Sequence, residues 1–194
     1  TIFAFLPVFQ NGFVNWDDDL LLTNNPNYRG FSWENIRWMF STVHMGHFQP
    51  LSWLTYALDY QIWKMDPFGY HLTNLLLHLA NSVVFYFLAR GLFRYTLPES
   101  AVFAGRVSVA AFFATLLFSV HPLRVESVAW ATERRDVLSS LFYLLAVLAY
   151  LRTHADHAKI RTRPFIAMVA MSVALLAKCT AVTLLAVFLI LDIY

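Results

Sequence analysis

The chain has 194 residues, of which 59% are hydrophobic and only 13% charged, with a net charge of +2. That apolar excess exceeds what soluble domains carry and argues for an integral membrane protein. No basic stretch gives a footprint for nucleic acid, and one cysteine, Cys179, excludes a disulfide framework.

Residues 1–9 are apolar but too short to cross about 30 Å of hydrocarbon, so they read as the end of a first span. The chain is therefore expected to be a fragment of something longer. Next comes Asn15-Trp16-Asp17-Asp18-Asp19. Carboxylates beside a bilayer are costly unless they face water, a cation or a polar cavity. Two readings stand side by side: a solvated cap and a catalytic site.

Residues 10–70 form a long outer loop with two amphipathic helices expected within it. Ser32 can cap the first, with Glu34 in its first turn and a stripe of Trp33, Ile36, Phe40 and Val43. Pro50 opens the second, whose stripe is Leu51, Leu54, Leu58, Ile62 and Met65, before Asp66-Pro67 stops it. Short helices rich in Trp and Tyr lie in membrane interfaces.

Candidate spans follow at 70–89, 107–120 and 137–151. The apolar run from 165 to 193 is broken only by Lys178 and Asp192, and reads as two short spans, 165–177 and 179–193. Residues 90–106 carry three Arg against one Glu, and 152–164 four basic residues against one Asp. Segment 10–70 carries three basic residues against six acidic. Basic loops stay in the cytoplasm, which puts 10–70 and the 123–136 loop on the outer side. All six Trp fall in those two segments, as an interfacial belt requires.

The second outer loop, from His121-Pro122 to Arg134-Arg135-Asp136, is expected to open a helix with Glu126, Trp130 and Glu133 on one face. Carboxylates suit a general base or a divalent cation, and Arg suits a leaving phosphate. Asp19, His121, Arg124, Arg134 and Lys178 are the candidate substrate-binding residues. An ion-pair network tying the two loops together is the alternative.

Taken in order, the motifs resemble a known family. They are Asn15-Trp16-Asp17-Asp18-Asp19, Gln49-Pro50-Leu51-Ser52-Trp53, Gly69-Tyr70-His71 with Asn74 and His78, and His121-Pro122 with Glu126, Arg134, Arg135 and Asp136. The chain is similar to the membrane half of the transmembrane and tetratricopeptide-repeat O-mannosyltransferases and their bacterial relatives, in the GT-C glycosyltransferase superfamily. The resemblance implies an all-α, polytopic transmembrane helical bundle. It implies a glycosyltransferase that moves a sugar, mannose by the family name, from a polyprenyl-phosphate carrier to a protein hydroxyl on the non-cytoplasmic side. The implied location is a bacterial inner membrane, or the endoplasmic reticulum in a eukaryote. Asp17, Asp18 and Glu126 match the family's catalytic acids, and Arg134 matches its motif; the third acid, Asp19, leaves open which two act. A divalent cation at Asp17/Asp18 is the one cofactor in view, with no other metal site. The family's downstream tetratricopeptide repeats are absent from this sequence.

On this reading Asp17 or Asp18 deprotonates the acceptor hydroxyl, and single in-line displacement inverts the sugar. Arg134 is expected to hold the departing phosphate, with Lys178 second and Glu133 of lesser weight. Two rival classes stay open. His71 and His78 share a helix face and could ligate haem, or could hydrogen-bond neighbouring helices alongside Asn74 and Asn81. A transporter is the other, although no candidate span contains the glycine breaks such proteins use.

Overall fold

The computed structural model describes residues 1–96, 101–155 and 163–193. It is all-helical, with no strand among the described residues. Helix α1, Ile2–Phe5, tightens at Pro7 into a 3-10 turn, and its Phe5 and Val8 pack against Leu75, Val128 and Val137. After the acidic triplet, Asp19–Thr23 forms a single π turn closed by Asn24 N–H donating to Asp19 O (2.8 Å).

Helix α2, Trp33–Ser41, starts as expected, with Ser32 Oγ accepting from Asn35 N–H (3.2 Å). Helix α3, Pro50–Trp63, opens on Pro50 and ends where Lys64 turns to φ 56°. The Asp66-Pro67 pair then starts the next helix rather than stopping this one. Asp66 Oδ1 accepts from Phe68 N–H (3.0 Å), and proline loses nothing at a first helical position. The stripes divide: Ile36, Leu54 and Met65 pack against the core, whereas other members do not. Trp33, Phe40, Val43, Leu58 and Ile62 point outward, Leu58 at 53% and Ile62 at 63% exposure. The buried faces, Met39 of α2 and Trp53, Tyr56 and Ala57 of α3, close with Tyr28 and Tyr70 into one core. The outward side of each helix is left to whatever lies outside the protein.

The long helices are α4 (Pro67–Thr96), α5 (Ala101–Val120), α7 (Arg134–Ala155), α8 (Arg163–Ala177) and α9 (Leu184–Ile193). All but α9 overrun the expected spans, because hydropathy marks the apolar centre of a helix while its hydrogen bonds continue through Arg90, Arg94 and Arg152. The central parts of both expected basic loops, 97–100 and 156–162, lie outside the described residues. Helix α4 packs on α5 and α7, and α7 on α8 and α9. On α8, Ala167, Ala170, Ala174 and Ala177 recur every three or four residues and are buried, so two backbones can approach closely. Ser139 Oγ accordingly donates to Ala174 O (3.1 Å) across that seam.

Lys178 adopts extended backbone (φ −154°, ψ 130°) and breaks the apolar run. Cys179–Thr183 follows as a 3-10 turn. Lys178 then meets Asp136, Thr183 meets Tyr143 and Asp192 meets Tyr150, so α9 runs alongside α7 in the same direction.

Among the described residues one helix, Pro67–Arg94 (28 residues, mean hydropathy 1.5), is long and apolar enough to cross a membrane. The stretches Gly105–Val120, Phe165–Ala177 and Cys179–Ile193 are apolar but shorter. Burial runs inside-out. Leu76, Val83, Phe112, Phe113, Leu117, Ile166, Leu189 and Ile190 face outward, while Asp18, Asp59, Asn74, Asn81 and Arg134 are enclosed. Water penalises that arrangement and lipid favours it.

Candidate active site

The two acidic loops meet at the end of the bundle where α4 and α7 begin. Asp18 is the tether. It is buried, and one carboxylate oxygen accepts from Val14 N–H (2.8 Å) while the other accepts from Thr132 N–H (3.0 Å), 114 residues on. Asp17 beside it is only half-buried, and among the described residues no hydrogen bond engages its carboxylate. Asp19 is spent locally, its Oδ1 accepting from Leu20 N–H (2.8 Å).

The second loop departs from the single helix expected after Pro122. A short helix, α6 (Arg124–Ala129), stops at Trp130, which is extended (φ −102°, ψ 122°), and Ala131–Glu133 forms a 3-10 turn. The break separates the acids that one helix face would have aligned: Glu126 is exposed, whereas Glu133 is buried. Glu133 pairs with Arg135 (2.5 Å) and lies 3.8 Å from Lys178 Nζ, and Lys178 also bonds Asp136. Burial pushes the Glu133 carboxyl above its ordinary range, opposed by Arg135. Glu133 is thus the acid this loop delivers to the cluster.

His47 completes the group. Met45 and Gly46 both adopt positive φ (49° and 79°), and His44 and His47 exchange backbone hydrogen bonds across this tight turn. Such a turn is strained at a non-glycine residue. It leaves His44 pinned against Trp38 and Trp53 and exposes His47. Burial, then the nearby Arg135 and Lys178 charges, hold the His47 imidazole below its ordinary range, with Asp17 pulling the other way. Glu133, Arg135, Asp136 and Lys178 are thus joined by ion pairs, and His47 feels the charges of Arg135, Lys178 and Asp17. Beside it a cavity of about 320 Å³ runs between α7 and the 3-10 turn, lined by Asp136, Ser139, Ser140, Tyr143, Lys178, Thr180, Ala181 and Thr183.

Arg134 sits where no ligand reaches it. It is 0% exposed, its Nη1 is 2.5 Å from Asp59, its Nε donates to Asn74 Oδ1 (2.8 Å) and its Nη2 to Tyr70 O (2.8 Å), under the Tyr56 ring. The residue expected to hold a phosphate instead ties α7 to α3 and α4. Asp59 was hidden as its partner because their separation in sequence carries no signal. His121 and Arg124 line a different cavity and make no hydrogen bond or ion pair with the acidic cluster among the described residues.

The expected cation fits poorly: Asp18 is enclosed with both oxygens facing backbone donors, so only Asp17 would meet it. Among the described residues no three His, Cys, Asp or Glu side chains gather closely enough to hold a metal ion. Haem ligation loses a ligand too, since His78 Nε2 donates to Ser119 O (2.9 Å) on α5. Asn74 and Asn81 likewise donate to Trp130 O and Val137 O. The reading of these side chains as hydrogen bonders between elements holds for His78, Asn74 and Asn81 but not for His71, whose buried ring nitrogens make no hydrogen bond among the described residues.

Fold and site define a helical protein that carries a charged, hydroxyl-lined chamber at one end of its bundle. The chain is 38% identical to protein O-mannosyl-transferase Tmtc1 of Drosophila melanogaster, over 71% of this chain and 14% of that one. It is 34% identical to TMTC4 of Mus musculus (77% and 22%) and 30% identical to TMTC1 of Homo sapiens (95% and 22%). The chain belongs to this family, the TMTC protein O-mannosyl-transferases. It spans between 13% and 22% of the length of the curated relatives it matches. No family model matches it, and no solved structure matches it significantly.

Proposed function

We propose that this chain forms the reaction chamber of a multi-pass membrane glycosyltransferase. It takes a sugar, mannose by the names of its relatives, from a polyprenyl-phosphate carrier to a protein hydroxyl on the non-cytoplasmic face. The observation that carries the reading is the Asp18–Thr132 tether, which ties the acidic triplet to the loop that carries Glu133 and Arg135.

In this reading Asp17 is the general base, since its carboxylate is the one of the triplet neither buried nor bonded. It accepts the proton of the acceptor hydroxyl as that oxygen attacks the anomeric carbon, and the carbon–phosphate oxygen bond breaks with inversion. His47, whose imidazole feels the Asp17 charge, takes the proton onward. Lys178 is the cation with reach into the cavity, and it neutralises the departing phosphate as a point charge. Asp136 and Glu133 hold Lys178 in place, Arg135 pairs with Glu133, and Arg134 acts by position alone. Glu126 lies outside this cluster and is assigned no step.

Membranes carrying the whole protein, incubated with radiolabelled polyprenyl-phosphate mannose, should transfer label to protein. Transfer from a nucleotide sugar but not from the lipid carrier would overturn the donor assignment.

A further inference from the structure

A second cavity, of about 340 Å³, lies on the opposite partner of α4: it is lined by Phe85 of α4, Ala114, Leu117 and Phe118 of α5, and His121, Leu123 and Arg124 of the turn that follows. It shares no lining residue with the Lys178 cavity, and no carboxylate lines it, so nothing in it would activate a hydroxyl. Its walls are apolar, and Leu117 at its mouth is 69% exposed. Two cationic or donor groups stand at one end. The Arg124 guanidinium lies over the Phe118 ring at 4.5 Å, a contact that uses its face and leaves its N–H edge free. Among the described residues no carboxylate pairs with it. Glu126, two residues on, cannot share its side of a helical turn. His121 Nδ1 accepts from Leu123 N–H (3.2 Å), which leaves Nε2 as the ring's donor.

An apolar slot closed at one end by a guanidinium fork and an imidazole N–H matches an anionic amphiphile. We propose that this cavity binds one anionic glycerophospholipid of the surrounding bilayer, with its phosphodiester on Arg124 and His121 and one acyl chain along Phe85, Ala114 and Leu117. The inference rests on the membrane reading above.

Native mass spectrometry of the whole protein, extracted in mild detergent and supplied with phosphatidylglycerol, phosphatidylcholine or a polyprenyl phosphate, tests it. Wild type should retain phosphatidylglycerol at least about tenfold more tightly than phosphatidylcholine, a preference of roughly 1.4 kcal/mol. Arg124→Gln should abolish that preference and Arg124→Lys keep part of it. Leu117→Trp, a change at an exposed position that fills the slot and keeps the charge, should lose the adduct. Equal retention of both phospholipids overturns the proposal, as does retention unchanged in Arg124→Gln and Leu117→Trp. Displacement of phosphatidylglycerol by the polyprenyl phosphate would give the slot to the carrier and overturn it as well. Carbonate extraction of the membranes separates the two readings: release of the protein sinks the membrane assignment, whereas a carbonate-resistant protein without lipid preference sinks this proposal alone.

Discussion

Asp17 and Asp18 are neighbours in sequence and opposites in surroundings. Asp18 spends both oxygens on backbone N–H groups, one of them in the other loop, while Asp17 spends neither. Asp18→Asn swaps one acceptor for an N–H₂ that faces a donor, and should cost about 1–3 kcal/mol of stability together with activity. Asp17→Asn should leave the melting temperature in detergent unchanged and remove only turnover. Thermal unfolding beside transfer assays distinguishes them. Arg134→Lys keeps the charge but loses the bonds to Asn74 and Tyr70 O; the variant should lose about 1.5–3 kcal/mol for each charged bond not remade. Glu133 gives a pH signature. Its carboxyl is raised by burial, so the folded state binds its proton more tightly than the unfolded chain. The stabilisation from that proton is complete below the ordinary carboxylate value and is lost as pH rises through the raised one. As pH rises from the ordinary carboxylate value through the raised one, wild type should therefore lose stability relative to Glu133→Gln. A difference that grows in favour of wild type over that range would contradict it.

Helices and turns show what a sequence discloses. The caps were legible because their chemistry is local: Ser32 and Pro50 act on the first turn of their own helices. The break at Lys178 was legible as the charge in the middle of an apolar run. The orientation of α2 and α3 was not, since period alone says that a face is apolar and not whether protein or lipid covers it. Trp53, Tyr56 and Tyr70 won the interior because their hydroxyls and rings find partners there, with Tyr56 Oη donating to Thr132 O (3.0 Å) and Tyr28 Oη 3.2 Å from Tyr70 Oη. The stop at Trp130 was hidden for the same kind of reason: Asn74 of α4 claims its carbonyl. Gly69 is the element-scale test. A Cβ there would lie 2.1 Å from Trp63 Cγ, so the α3–α4 corner closes only over glycine. Gly69→Ala should destabilise by about 1–3 kcal/mol, and Trp63→Ala in the same chain should recover most of that loss. Additive losses in the double variant would show that the corner does not depend on this contact.

Across the whole molecule, the gathering of the 10–70 segment and the 121–136 loop at one end was legible from charge and Trp distribution, whereas the side of the membrane they face is a proposal. Cysteines at Ser41 and Arg94, two exposed positions at opposite ends of the bundle, should react from opposite sides of sealed membranes; labelling from one side would overturn the topology. The family motifs located the cluster but could not divide its labour, since Arg134 and Lys178 are equally basic on paper and only burial separates an inner clasp from a reachable cation. The central claim is that the half-exposed Asp17, delivered by a buried Asp18, is the base of a sugar transfer. It is tested most directly by the rate of mannosyl transfer from polyprenyl-phosphate mannose in membranes carrying the whole protein as wild type or Asp17→Asn, at matched expression and melting temperature. The account predicts a loss of about a hundredfold to ten-thousandfold, the range for removing a general base; transfer by Asp17→Asn at the wild-type rate would contradict it.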